Sequence, residues 1–132
     1  GNADPMALTV AVSAAQAVER IGMPESQIIL SQAVTYVASA PKSNSVVNAI
    51  FAANESVRRQ KTTVPAHLQD AHYKGSKKMG RGTGYKYAHD YPGHYVKQQY
   101  LPDEIKDARF YEPGVLGYEK TIKEYLEKLR QE

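Results

Sequence analysis

The chain has 132 residues, 42% of them hydrophobic and 23% charged, with a net charge of +3 and no cysteine. That length suits a single domain burying roughly two thirds of its unfolded surface. Disulfides and thiolate metal sites are excluded, no apolar run approaches the ~20 residues of a membrane span, and Gly1–Pro5 lacks the basic and apolar pattern of a signal peptide.

Gly1–Pro5 has no initiating Met and reads as the interior of a longer protein, so the chain is expected to be a piece of one, in a cytosolic setting. Charge is unevenly spread. Residues 1–57 and 98–132 each carry a net −2, whereas residues 58–97 hold nine Lys/Arg against Asp70 and Asp90. A cationic block of this kind attracts phosphates at long range and weakens with salt.

The first third predicts three helices. Asp4-Pro5 supplies a cap and a proline at the first helical position, and Ala7, Val10, Ala11, Ala14, Val18 and Ile21 follow at helical spacing up to Gly22. Pro24-Glu25 opens a second helix with Ile29, Ala33, Val37 and Ala40 on one face and Pro41 as its stop. Ser43-Asn44-Ser45 offers caps for a third, carried by Val47, Ile50, Ala53, Asn54 and Val57. Short connections imply antiparallel neighbours. The faces expected in the core or between copies are Val10, Ala14, Val18, Ile29, Ala33 and Val37.

The middle has no period. A short helix is expected near His67–His72, then a basic, glycine-rich run from Lys74 to Gly84, then an irregular stretch broken by Pro92-Gly93 and Pro102. So long a loop is usually functional or pinned by its own side chains. Gly117–Glu132 reads as a surface helix with Ile122, Leu126 and Leu129 apolar, and with Glu119–Lys123 and Glu124–Lys128 as favourable ion pairs. The expectation is an all-α single domain: a small antiparallel helical bundle (1–62), an irregular basic and Tyr-rich segment (63–113), and a C-terminal helix (114–132).

Catalytic motifs fare poorly. Gly75 and Gly80 have phosphate-loop spacing, but Arg81-Gly82 stands where Lys-Ser/Thr is required. His67, His72, His89 and His94 lack zinc-site spacing and read as hydrogen-bonded loop members. No Gly-x-Ser-x-Gly elbow occurs. Asp103-Glu104 reads as the acidic first turn of a short helix. The serious binding candidate is the basic stretch with interleaved tyrosines, because single strands are held by cationic grooves and aromatic faces. Its candidates are Lys74, Lys77, Lys78, Arg81, Tyr85, Lys86 and Tyr87, with Lys97 as further charge. For Tyr91, Tyr95, Tyr100 and Tyr111 the stronger reading is as pins whose hydroxyls bond the loop backbone.

Several ordered segments resemble one family: Gly1–Pro5, Ala14–Glu25, Ala40–Ser45, Pro65–Ala71, Gly84–Asp90, Gln99–Pro102 and Arg109–Pro113. Together they are similar to the C-terminal region of the replication-associated recombination protein A family (RarA, also called MgsA), whose eukaryotic relative is the Werner-helicase-interacting ATPase. One departure is Ala88, where proline is expected. The resemblance covers essentially the whole chain. It implies a clamp-loader-like AAA+ ATPase acting in DNA replication, recombination and repair at stalled forks, cytoplasmic and nucleoid-associated. It implies that this region is a helical oligomerisation collar, typically of a homotetramer. ATP and magnesium would belong to a missing N-terminal module, with no cofactor, metal or catalytic residue here. Implied partners are further copies of the chain, DNA and single-stranded-DNA-binding protein, with no membrane. The alternative reading is a DNA-binding module using residues 74–86.

Overall fold

The computed structural model describes residues 1–70, 72 and 79–131. Its regular structure comprises α1 (Met6–Ile21), α2 (Ser26–Ser39), α3 (Ser45–Arg59) and α4 (Tyr118–Gln131), with short 3-10 turns between α3 and α4. No strand occurs among the described residues, so the all-helical expectation holds. The chain divides into two compact units, Gly1–Phe51 with Tyr111–Arg130, and Ala52–Phe110 with Gln131.

In the first unit, α1 begins as its local chemistry dictates. Pro5 is already helical (φ −61°, ψ −25°), and the Asp4 carboxylate accepts the Met6 N–H at 2.9 Å. Gly22, at φ 77°, ends the helix with its N–H on the Val18 carbonyl. Ser26 then turns the chain back: its hydroxyl and its N–H both donate to the Gly22 carbonyl, at 2.5 and 3.0 Å. At the far end the Tyr36 hydroxyl donates to Asp4, 3.1 Å to one carboxylate oxygen. Contacts at both ends make α1 and α2 an antiparallel pair. Ala14 and Ala33 are buried where the helices meet, their small side chains permitting close approach. α2 stops at Ser39 because Ala40 precedes a proline and is extended (φ −63°, ψ 143°).

α3 is capped from Ser43, whose hydroxyl accepts the Ser45 N–H at 3.1 Å, and from Asn44, whose carbonyl accepts the Asn48 N–H at 3.0 Å. Before α4, Gly117 has φ 56°, and a Cβ there would lie 2.1 Å from the Ala3 carbonyl oxygen. Only glycine fits. The Tyr118 N–H donates to that same carbonyl at 2.9 Å. Ile122, Leu126 and Leu129 are half-buried, as an amphipathic α4 requires.

The second unit has little periodic structure beyond the end of α3 and is held by side chains bonded to backbone. Among its described residues Val96 is the buried one, and the Tyr100 hydroxyl donates to the Val96 carbonyl at 2.7 Å. His67 donates from Nε2 to the Gln99 carbonyl at 2.9 Å. Gln99 in turn donates to the Leu101 carbonyl and to Asp103 Oδ1, at 2.9 and 2.7 Å. Pro102 opens the Asp103–Ile105 turn with Asp103 and Glu104 in it, where acidic residues were expected.

Candidate functional site

Glu119, expected on the surface paired with Lys123, is fully buried instead. Its Oε1 accepts from the Ser45 hydroxyl and, at 3.1 Å, from the Tyr111 hydroxyl. Its Oε2 accepts the Gly114 N–H at 2.9 Å, and Ser43 also donates to the carboxylate. Asn2 completes the network by donating to the Tyr111 oxygen at 3.1 Å. Burial by itself raises the carboxyl, but the donors from Ser43, Ser45, Gly114 and Tyr111 outweigh it and hold Glu119 down to about 2. A carboxylate has about four acceptor sites, and four donors meet them here. The arrangement ties the start of α3, the 111–114 loop and the start of α4 to one charge. It is fully satisfied and holds structure.

That clamp selects which face of α3 turns inward. Ser45 is buried, and Ala49, Ala53 and Ser56 lie below it on the same side, all half-buried. The stripe read from the sequence is therefore mostly outside. Val47, Ile50, Phe51 and Val57 are exposed, Phe51 to 68%. Of the expected core or interface positions on α1 and α2, Ala14 and Ala33 are buried, Val10, Val18 and Ile29 half-buried, and Val37 exposed. Val10, Ala14, Ile29 and Ala33 line an open, apolar groove of about 400 Å³ together with Met6 and Ala17. Elsewhere on the same two helices Leu8, Ile28 and Val34 are exposed.

Of the nucleic-acid candidates, Lys74, Lys77 and Lys78 lie outside the described residues. Arg81 is half-buried in a shallow cleft with Thr62, Thr63 and Gln69. Lys86 is exposed, and Tyr85 and Tyr87 are more than half exposed. Two backbone donors beside Arg81 are already used within the chain. The Gly82 N–H is spent on the Ala66 carbonyl at 2.7 Å and the Tyr85 N–H on the Gly82 carbonyl at 3.1 Å, so neither is free for an anion. Among the described residues no three His, Cys, Asp or Glu side chains converge as a metal site. His89 and His94, dismissed in the sequence as ligands, make ring contacts instead: His89 lies 5.0 Å from the Tyr87 ring centre and 4.8 Å from that of His94. Spacing alone gave no sign of this, because Pro92-Gly93 had to fold back before the two histidines could meet. Tyr100 and Tyr111 act as hydroxyl-bonded pins, Tyr111 to a carboxylate and not to the loop backbone.

Helices knitted by hydrogen bonds to a buried carboxylate, with apolar helix faces left in solvent, define the class: an all-helical module. The chain belongs to the family of MgsA AAA+ ATPase C-terminal domains, whose description matches residues 1–130. It is 49% identical over 131 residues to an uncharacterised AAA-domain protein of Mycobacterium tuberculosis, covering 98% of this chain and 29% of that protein. It is 44% identical to the replication-associated recombination protein A of Bacillus subtilis, covering 98% of this chain and 31% of that one. The ATPase WRNIP1 of Dictyostelium discoideum is 39% identical over 114 residues, covering 85% of this chain and 13% of its own length. The chain thus spans less than a third of the length of each of these relatives.

Proposed function

We propose that this chain is the non-catalytic collar through which copies of a clamp-loader-like AAA+ ATPase assemble, as a homotetramer, for replication-associated recombination at stalled forks. ATP and magnesium would then be held by polypeptide outside it. The observation that carries the reading is the apolar surface left in solvent on α1, α2 and α3: Leu8, Ile28, Val34, Ile50 and Phe51 are all more than half exposed. Burying such a side chain contributes about 1.5–3 kcal/mol, and patches of this kind mark interaction surfaces. Light scattering after size exclusion tests it. A mass above one chain at micromolar concentration supports assembly through this region, and a strict monomer at high micromolar concentration removes it.

A second reading has its own support, in the exposure of Tyr85 and Tyr87 beside Lys86. Rings that only filled a core would be covered. In this reading residues 74–86 bind single-stranded DNA, with an affinity that falls steeply with salt. Reversing the charges of Lys77, Lys78 and Arg81 should abolish binding, and binding that survives the triple change ends the idea.

A further inference from the structure

We propose that Tyr87, His89 and His94 form a stacking platform for unpaired bases of a single nucleic-acid strand. The inference rests on the nucleic-acid reading above and moves its base-contacting part beyond the basic run, to residues 87–94.

The three rings form a row with His89 in the middle, 5.0 Å from Tyr87 and 4.8 Å from His94, tilted by 47° and 54°. All three are exposed. The row is assembled by a Pro-Gly turn. The His94 N–H donates to the Tyr91 carbonyl at 3.0 Å, and both Gly93 (φ 64°) and His94 (φ 54°) are left-handed. A positive φ is unfavourable for a residue with a Cβ, and here it brings His94 back against His89.

The rings are not what holds this segment. Backbone bonds do so: Asp90 N–H to the Tyr87 carbonyl and Tyr91 N–H to the Ala88 carbonyl, both at 3.1 Å, followed by buried Val96 and its bond from Tyr100. Three ring systems arrayed in solvent without that duty are suited to a flat π-surface. His89 lies between the two outer rings at a tilt to each, and the exposure of Tyr87 and His94 leaves area for a base on each. Lys86 precedes the row and Lys97 follows it, both exposed, whereas Asp90 is the one carboxylate from residue 80 to residue 100. Cations flanking aromatic faces match phosphates flanking bases. Bases in a duplex already stack on one another, so the platform selects a single strand.

The test is fluorescence anisotropy with a labelled oligothymidine of about 15 nucleotides and with a duplex of the same length, at pH 7.5 and low salt. The single strand should bind and the duplex should bind more weakly. Tyr87→Ala, His89→Ala and His94→Ala should each weaken single-strand binding by about 10-fold with unchanged thermal melting, while Tyr87→Phe and His89→Phe should retain it. If the chain binds no single strand at all, the platform and the nucleic-acid reading fall together. If the alanine variants bind normally while charge reversal at Arg81 and Lys86 abolishes binding, only the platform falls.

Discussion

The Ser45 hydroxyl donates to the Glu119 carboxylate across 74 residues of chain, and the bond is buried. Two helices therefore begin at one charge. Glu119 ordinarily titrates near 4.5 and is held at about 2 here, because the donors from Ser43, Ser45, Gly114 and Tyr111 outweigh the cost of burial. A lowered carboxyl pKa contributes stability that is complete above the unfolded value and is lost as pH falls towards the folded one. The chain should therefore lose stability between about pH 4.5 and pH 2. Urea unfolding across that window should show a shallower dependence in Glu119→Gln. Equal slopes in the two proteins would mean that Glu119 is not the group responsible.

Removing one donor is milder than removing the acceptor. Ser45→Ala and Tyr111→Phe should each cost about 2 kcal/mol, as hydrogen bonds to a buried charge do. Glu119→Ala should cost more than either, because it strands four donors at once. Because both donors share Oε1, the double change Ser45→Ala/Tyr111→Phe should depart from additivity in chemical denaturation.

Gly117 tests the same region through the backbone. Its φ of 56° and the closeness of the Ala3 carbonyl and the Pro41 ring leave no room for a methyl group. Gly117→Ala should destabilise by about 3 kcal/mol or prevent folding. Gly22→Ala, also at positive φ but with open space around the missing Cβ, should cost less. Thermal melts of the two variants would rank them.

Self-association should depend on the outward stripe of α3. Ile50→Asp and Phe51→Asp place charges on exposed positions, so they should leave helix content unchanged by circular dichroism and lower the mass seen by light scattering. An unchanged mass in both variants would move the interface elsewhere.

In the second unit, Tyr100→Phe should cost about 1 kcal/mol through loss of the bond to Val96. Tyr85→Phe, on an exposed ring, should be neutral. Reversal of that order in urea denaturation would contradict the pinning role given to Tyr100.

Much of the helical part was legible from residues close together in the chain. Asp4-Pro5, Gly22, Pro41 and Ser43–Ser45 act within four or five residues of themselves, and each does in the structure what its chemistry required. The apolar face of α4 was readable for the same reason. The face of α3 was not. Val47, Ile50 and Val57 make a plausible core stripe by spacing, but periodicity reports only that a helix has two sides. Which side is covered depends on what binds Ser45, and that residue lies far along the sequence.

The sequence by itself determined that this chain is helical, where its first two helices start and stop and where its third starts, that it resembles one family along its whole length, and that its positive charge lies in the middle. Those properties reside in local backbone preferences and in composition. Tertiary structure alone decided that Glu119 is a buried anchor and not a surface partner of Lys123, that α3 turns Phe51 to solvent, and that Tyr87, His89 and His94 come together. A hydrogen bond or a ring contact depends on distance in space, and until the chain has folded, distance along it does not reveal that.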